Sequence, residues 1–86
     1  MQDLHELFKQ AEDDSKLLSK APDNETELQL YALNKQATKG NATEQDAPLN
    51  PLNFVEKAKF KAWQKLEGKP RNEAMQEYID LVNKLK

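Results

Sequence analysis

Apolar residues recur at helical spacing in every patterned segment of this chain, and nowhere at the alternating spacing of a strand. Met75, Tyr78, Ile79, Val82 and Leu85 repeat three and four apart, close to an a/d register. Leu4, Leu7, Phe8 and Ala11 form an earlier stripe, and Val55, Ala58, Ala62 and Leu66 a third. Between them, Leu30, Leu33 and Ala37 mark one face while Leu28, Tyr31 and Lys35 mark another. One of those two faces can enter a core and leave the other to a ligand or to solvent. The expected fold class is all-α.

Breakers divide the pattern into four helices. The first runs from about Asp3 to Leu18, with Asp3 and Glu6 spaced as a capping box. Ala21-Pro22-Asp23-Asn24 ends that turn of the chain, and Asn24, with Glu27 three residues on, reads as the next N-cap. A second helix follows over about Glu25–Thr38, closed by Gly40. Residues 40–53 hold two prolines among polar side chains and form a long connection. Asn53 caps a third helix over about Phe54–Glu67, whose core stripe Phe60 and Trp63 should flank. Gly68 ends it, and Pro70 suits the first turn of a fourth. A connection as long as 40–53 in so short a chain crosses the bundle or carries function.

Residues 1–86 are enough for one small domain with a modest core, at 37% hydrophobic residues and a mean hydropathy of −0.97. A net charge of −2 argues against general nucleic-acid binding, which needs a basic footprint. The absence of cysteine removes disulfides, thiolate metal sites and thiol nucleophiles. Met1-Gln2-Asp3-Leu4-His5-Glu6 lacks the basic and apolar regions of a secretory leader. No run approaches the roughly 18 consecutive apolar residues of a membrane span. A cytoplasmic monomer is expected, without stable membrane insertion. The only histidine, His5, stands near the start and is expected to be exposed. No P-loop, histidine-rich metal motif or nucleophile–base pair is present, so no catalytic, metal or cofactor site is expected.

Binding chemistry is easier to place. Tyr31 and Lys35 are four apart, so a phenol and an ammonium can converge on one anion. Lys57, Lys59 and Lys61 lie beside Phe60 and Trp63, and Tyr78 follows on the last stripe. Each also has an ordinary explanation: a half-buried tyrosine with a snorkelling lysine, surface charge, and aromatic core packing. A helical protein-interaction module remains the alternative, with Leu28, Tyr31 and Trp63 facing a partner helix. An enzyme such as a thioesterase is the least favoured class.

The order and spacing of several segments resemble the acyl-CoA-binding protein family. They are Leu30-Tyr31-Ala32-Leu33 with Lys35-Gln36-Ala37-Thr38 and Gly40, then Lys57-Ala58-Lys59-Phe60-Lys61-Ala62-Trp63, then Leu66 with Gly68, and Glu73-Ala74-Met75 with Tyr78-Ile79. The resemblance implies a four-helix bundle, up-down-down-up, with a long loop between helices 2 and 3. It implies non-enzymatic binding and transport of medium- to long-chain acyl-CoA esters as a protected pool. By matched position, Tyr31, Lys35 and Lys59 would hold the 3′-phosphate, Tyr78 the nucleotide end, and Lys16 a further part of the ligand. Phe8, Ala11, Glu12 and Leu28 would lie along the acyl chain. Asn34 stands where the family usually has an aromatic ring for adenine, so it can hydrogen-bond a base but not stack on it. The loop from Gly40 to Phe54 is about two residues longer than usual, and Ala47-Pro48-Leu49 replaces a common Pro-Gly turn.

Overall fold

The computed structural model describes residues 3–86. Met1 and Gln2, part of the stretch read for a leader, lie outside the described residues. Four α-helices follow in order: α1 Leu4–Lys16, α2 Asn24–Thr38, α3 Phe54–Gln64 and α4 Arg71–Leu85. Among the described residues there is no strand, and none of these helices is long and apolar enough to cross a membrane. The all-α expectation therefore holds.

The helix ends are set by local hydrogen bonds. Asp3 caps α1 by accepting from the Glu6 N–H at 2.9 Å. The cap of α2 is Asp23 rather than Asn24, because the Asp23 carboxylate accepts from the Thr26 N–H at 2.8 Å. That bond stabilises the ionised form and lowers the Asp23 pKa. Asn53 caps α3 as expected, accepting from the Glu56 N–H at 3.1 Å. Two helices stop earlier than the apolar pattern suggested. α1 closes at Lys16, where the Leu17 N–H turns back to the Asp14 carbonyl and its side chain stays exposed. α3 closes at Gln64, where i→i+3 bonds from Leu66 and Glu67 tighten the last turn.

The core is shared by α1, α2 and α4. Phe8 and Ala11 meet Leu33, Ala37, Ala74, Met75, Tyr78, Ile79 and Val82. The Phe8 and Tyr78 rings lie 5.1 Å apart and tilted, a favourable aromatic geometry. Burying a side chain such as Phe8 contributes roughly 1.5–3 kcal/mol. α4 packs against both α1 and α2, whereas α3 packs chiefly on α2. This one-sided packing corrects the expected α3 stripe. Val55 is 64% exposed, while Trp63, expected at the flank, is the buried residue of the helix. Trp63 is the ring that faces α2, and its N–H donates to the Gly40 carbonyl at 2.8 Å.

That bond belongs to a polar knot at the end of α2. The buried Gln36 donates to the Asn41 side chain at 2.8 Å and to the Lys69 carbonyl at 2.9 Å. Asn41 also accepts from the Gly68 N–H at 2.9 Å. Gly40 has φ +94, a conformation that suits glycine, and a Cβ there would meet the Arg71 guanidinium at 3.4 Å. Arg71 itself donates to the Lys39 carbonyl at 2.9 Å. The start of the long connection is thus fixed to the α3–α4 turn. Within the connection, Glu44–Asp46 forms one 3-10 turn, tethered by an ion pair between Lys39 and Asp46.

Candidate functional site

Residues 27, 30, 31, 34 and 35 share one face of α2 by helical spacing. That face borders a cavity of about 320 Å³. α2 contributes Glu27, Leu30, Tyr31, Asn34 and Lys35 to its walls. α3 adds Lys59, α4 adds Tyr78, and Ser15 and Pro22 complete it. The structure thus brings together Tyr31, Asn34, Lys35, Lys59 and Tyr78, up to 47 positions apart in sequence, because the helices fold back on one another.

Cations and rings alternate along one edge. The Lys59 ammonium lies 5.3 Å from the Tyr31 ring centre. Lys35 lies 5.8 Å from Tyr31 and 6.0 Å from Trp63. Lys39 follows at 5.5 Å from Trp63. Each contact is within cation–π reach. The three lysines are not equivalent. Lys39 is pinned by Asp46, whose carboxyl Lys39 and the Thr43 N–H hold down to about 2. Lys59 has Glu56 at 3.8 Å. Lys35 makes no ion pair among the described residues, so its charge faces the cavity uncompensated at close range.

The phenols remain protonated donors at neutral pH. Burial pushes the Tyr31 pKa up, and the Glu56 and Asp46 carboxylates push it further. Burial likewise raises Tyr78, with the Ser15 bond opposing. Tyr78 donates to Ser15 Oγ at 3.2 Å, and Ser15 donates to the Glu12 carbonyl at 2.7 Å. Asn34 donates to Glu12 Oε2 at 2.8 Å, which bridges α1 and α2 at the back of the cavity. One end of the site is therefore an ammonium-and-phenol cluster suited to phosphate, and the other a set of amide and hydroxyl groups.

The remaining expected residues are dispersed. Lys16, the last residue of α1, is exposed beside Ser15 but does not line the cavity. Glu12 reaches the site through Asn34. Phe8 and Ala11 are only 5% and 4% exposed, because the single apolar stripe of α1 is consumed in packing against α4. They lie beneath the site rather than on an open groove. Leu28 is on the other side of α2, where it lines a second, open cavity of about 730 Å³ with Ala32, Ala62, Leu66 and Leu81. Ser15, Pro22 and Glu27 were not anticipated. Glu27 was discoverable from its i, i+4 and i, i+7 relation to Tyr31 and Asn34. Ser15 had no local signal, since only tertiary packing sets it against Tyr78.

The chain is similar to several known proteins over most of its length. Acyl-CoA-binding protein of Brassica napus is 40% identical over 82 residues, covering 95% of this chain and 87% of that protein. The acyl-CoA-binding protein homolog of Drosophila melanogaster is 42% identical over 80 residues, covering 93% and 91%. Enoyl-CoA delta isomerase 2 of Rattus norvegicus is 46% identical over 78 residues, but this chain spans only 19% of its length. The crystal structure of Oryza sativa acyl-CoA-binding protein 2 superposes with a TM-score of 0.87 at 38% identity, covering 96% of this chain and 90% of that one. Residues 5–82 also match the family model described as acyl CoA binding protein, and the chain belongs to that family.

Proposed function

We propose that residues 1–86 act as a single domain that binds medium- to long-chain acyl-CoA esters without turning them over. In this reading the chain is a cytoplasmic, monomeric carrier that keeps a protected pool of its ligand. The observation that carries the proposal is the pair of ammonium groups, Lys35 and Lys59, at 5.8 Å and 5.3 Å from the Tyr31 ring centre, all three residues lining one cavity. A ribose 3′-phosphate there would receive two point charges and a phenolic hydrogen bond. Tyr78 and Asn34 would meet the nucleotide, and Lys16 a more exposed part of the head group. The acyl chain would leave past Pro22 and Leu30, with Leu28 on the neighbouring groove. Phe8 and Ala11 would support that wall from beneath, and Glu12 through Asn34. The names of the Brassica and Drosophila relatives support the ligand class.

Less supports the interaction-module alternative. Trp63 is buried and bonded to Gly40, and Leu28 and Tyr31 open onto different cavities. Titration calorimetry with acetyl-CoA, palmitoyl-CoA and free palmitate tests the proposal. Fourteen added methylenes set a ceiling of about 11 kcal/mol at roughly 0.8 kcal/mol each. Chain ordering and incomplete burial keep the gain well below that. Palmitoyl-CoA should bind at least about 100-fold more tightly than acetyl-CoA, a difference of about 2.7 kcal/mol. Free palmitate should bind poorly. Equal binding of palmitate and palmitoyl-CoA would remove the head-group site.

A further inference from the structure

Four large apolar side chains project into solvent within seven consecutive residues. Leu49 is 101% exposed, Leu52 75%, Phe54 73% and Val55 64%. Monomeric surfaces rarely concentrate apolar residues in this way without a partner. We propose that this tip, the end of the long connection with the first turn of α3, is a docking surface for anionic lipid bilayers.

Shape and charge both favour lipid. Leu49 is fully exposed and its neighbours nearly so, so a fluid phase can accommodate the tip without a preformed pocket. Its backbone is partly self-satisfied, since the Leu52 N–H donates to the Asn50 side chain at 2.9 Å and the Asn53 N–H to the Asn50 carbonyl at 3.1 Å. That lowers the desolvation cost of entering the headgroup region. Lysines follow the apolar residues directly on α3. Lys57 reaches back to the Pro51 carbonyl at 3.4 Å and sits 5.9 Å from the Phe54 ring. Lys61 is one turn further on the same face. From Leu49 to Lys61 the chain has three lysines and one glutamate, a local excess of two positive charges on a protein of net charge −2. Apolar residues beside lysines are the pattern that holds a segment at an anionic interface. The surface adjoins Lys59, so a ligand whose tail rests in the bilayer could enter the cavity from it. That use rests on the acyl-CoA reading, whereas the docking itself does not.

Ligand-free protein is mixed with large unilamellar vesicles of phosphatidylcholine alone or with 30% phosphatidylserine, then separated by flotation at low and high salt. The wild type should float with the anionic vesicles only, and less at high salt. Leu49→Ser/Leu52→Ser and, separately, Lys57→Gln/Lys61→Gln should each weaken partitioning about tenfold or more. Circular dichroism should show unchanged helicity, and solution affinity for palmitoyl-CoA should stay within about twofold of wild type. Absence of flotation at low salt overturns the proposal, as does flotation that both variants retain. Self-association in sedimentation that Leu49→Ser/Leu52→Ser abolishes, without vesicle binding, assigns the tip to a second copy instead. Loss of palmitoyl-CoA binding with flotation intact would overturn the ligand assignment and leave the docking surface standing.

Discussion

Replacing Lys35 by alanine separates what the site does for the ligand from what it does for the fold. The ammonium is held 5.8 Å from Tyr31 and 6.0 Å from Trp63, without an ion pair among the described residues. A charge-assisted hydrogen bond to phosphate is worth about 1.5–3 kcal/mol, so Lys35→Ala should weaken palmitoyl-CoA binding roughly 10- to 150-fold. Stability should change little, because the loss of the Lys35 cation–π contacts and the relief of charge repulsion oppose each other. Lys35 and Lys59 flank the same ring and are therefore within about 11 Å of each other. Their mutual repulsion in water is a few tenths of a kcal/mol at about that separation, and the variant removes it. Calorimetry should use palmitoyl-CoA and its 3′-dephospho form, with urea unfolding in parallel. Wild type should prefer the 3′-phosphorylated ligand, and Lys35→Ala should lose most of that preference. The reasoning is refuted if affinity changes less than about twofold, or if both ligands weaken equally. Lys39→Ala provides the contrast, since Asp46 already engages that ammonium.

Three further perturbations probe separate features. Asn34→Tyr should tighten acyl-CoA binding, because stacking on a base is worth about 1–3 kcal/mol. It should also lower stability slightly by breaking the bond to Glu12, and weaker binding by calorimetry would show that Asn34 holds the base by hydrogen bonding. Gly40→Ala should cost about 1–2 kcal/mol in urea unfolding, since φ +94 is unfavourable for alanine; an unchanged midpoint would contradict that strain. The Asp46 carboxyl has its pKa lowered from 3.8 to about 2, so it stabilises the fold above the ordinary value and loses that effect as pH falls towards 2. Wild type should exceed Asp46→Asn in stability at neutral pH, with the gap closing between about pH 4 and 2; a pH-independent gap would exclude the carboxylate as its source.

Periodicity made the four helices legible because each must bury an apolar stripe to persist. Their ends were less legible. Asp23 and Asn24 are both good caps, and only the bond to Thr26 decides between them. The apolar spacing put Val55 in the α3 stripe and Trp63 at its edge, and the packing of α3 chiefly on α2 reverses the two. On the site, the i, i+4 relation of Tyr31 and Lys35 was readable directly from helical geometry. The approach of Lys59 and Tyr78 could be expected only from the family resemblance, because it depends on how the helices pack. The burial of Phe8 and Ala11 followed from α1 having a single stripe to share between core and groove.

The one-sided packing of α3 has a consequence for local opening. A helix resting chiefly on one neighbour can detach without exposing the α1–α2–α4 core, so its amides should exchange with solvent ahead of those in α2 and α4. Trp63 and its bond to Gly40 are the main clasp against that detachment. Lys59 rides on the same helix. A ligand gripped by Lys35 on α2 and Lys59 on α3 would therefore tie α3 to a helix that also packs on α4. Part of its binding free energy would be stored as protection of α3, and the slow step in its release would be the parting of α3 from α2 rather than the escape of the ligand itself.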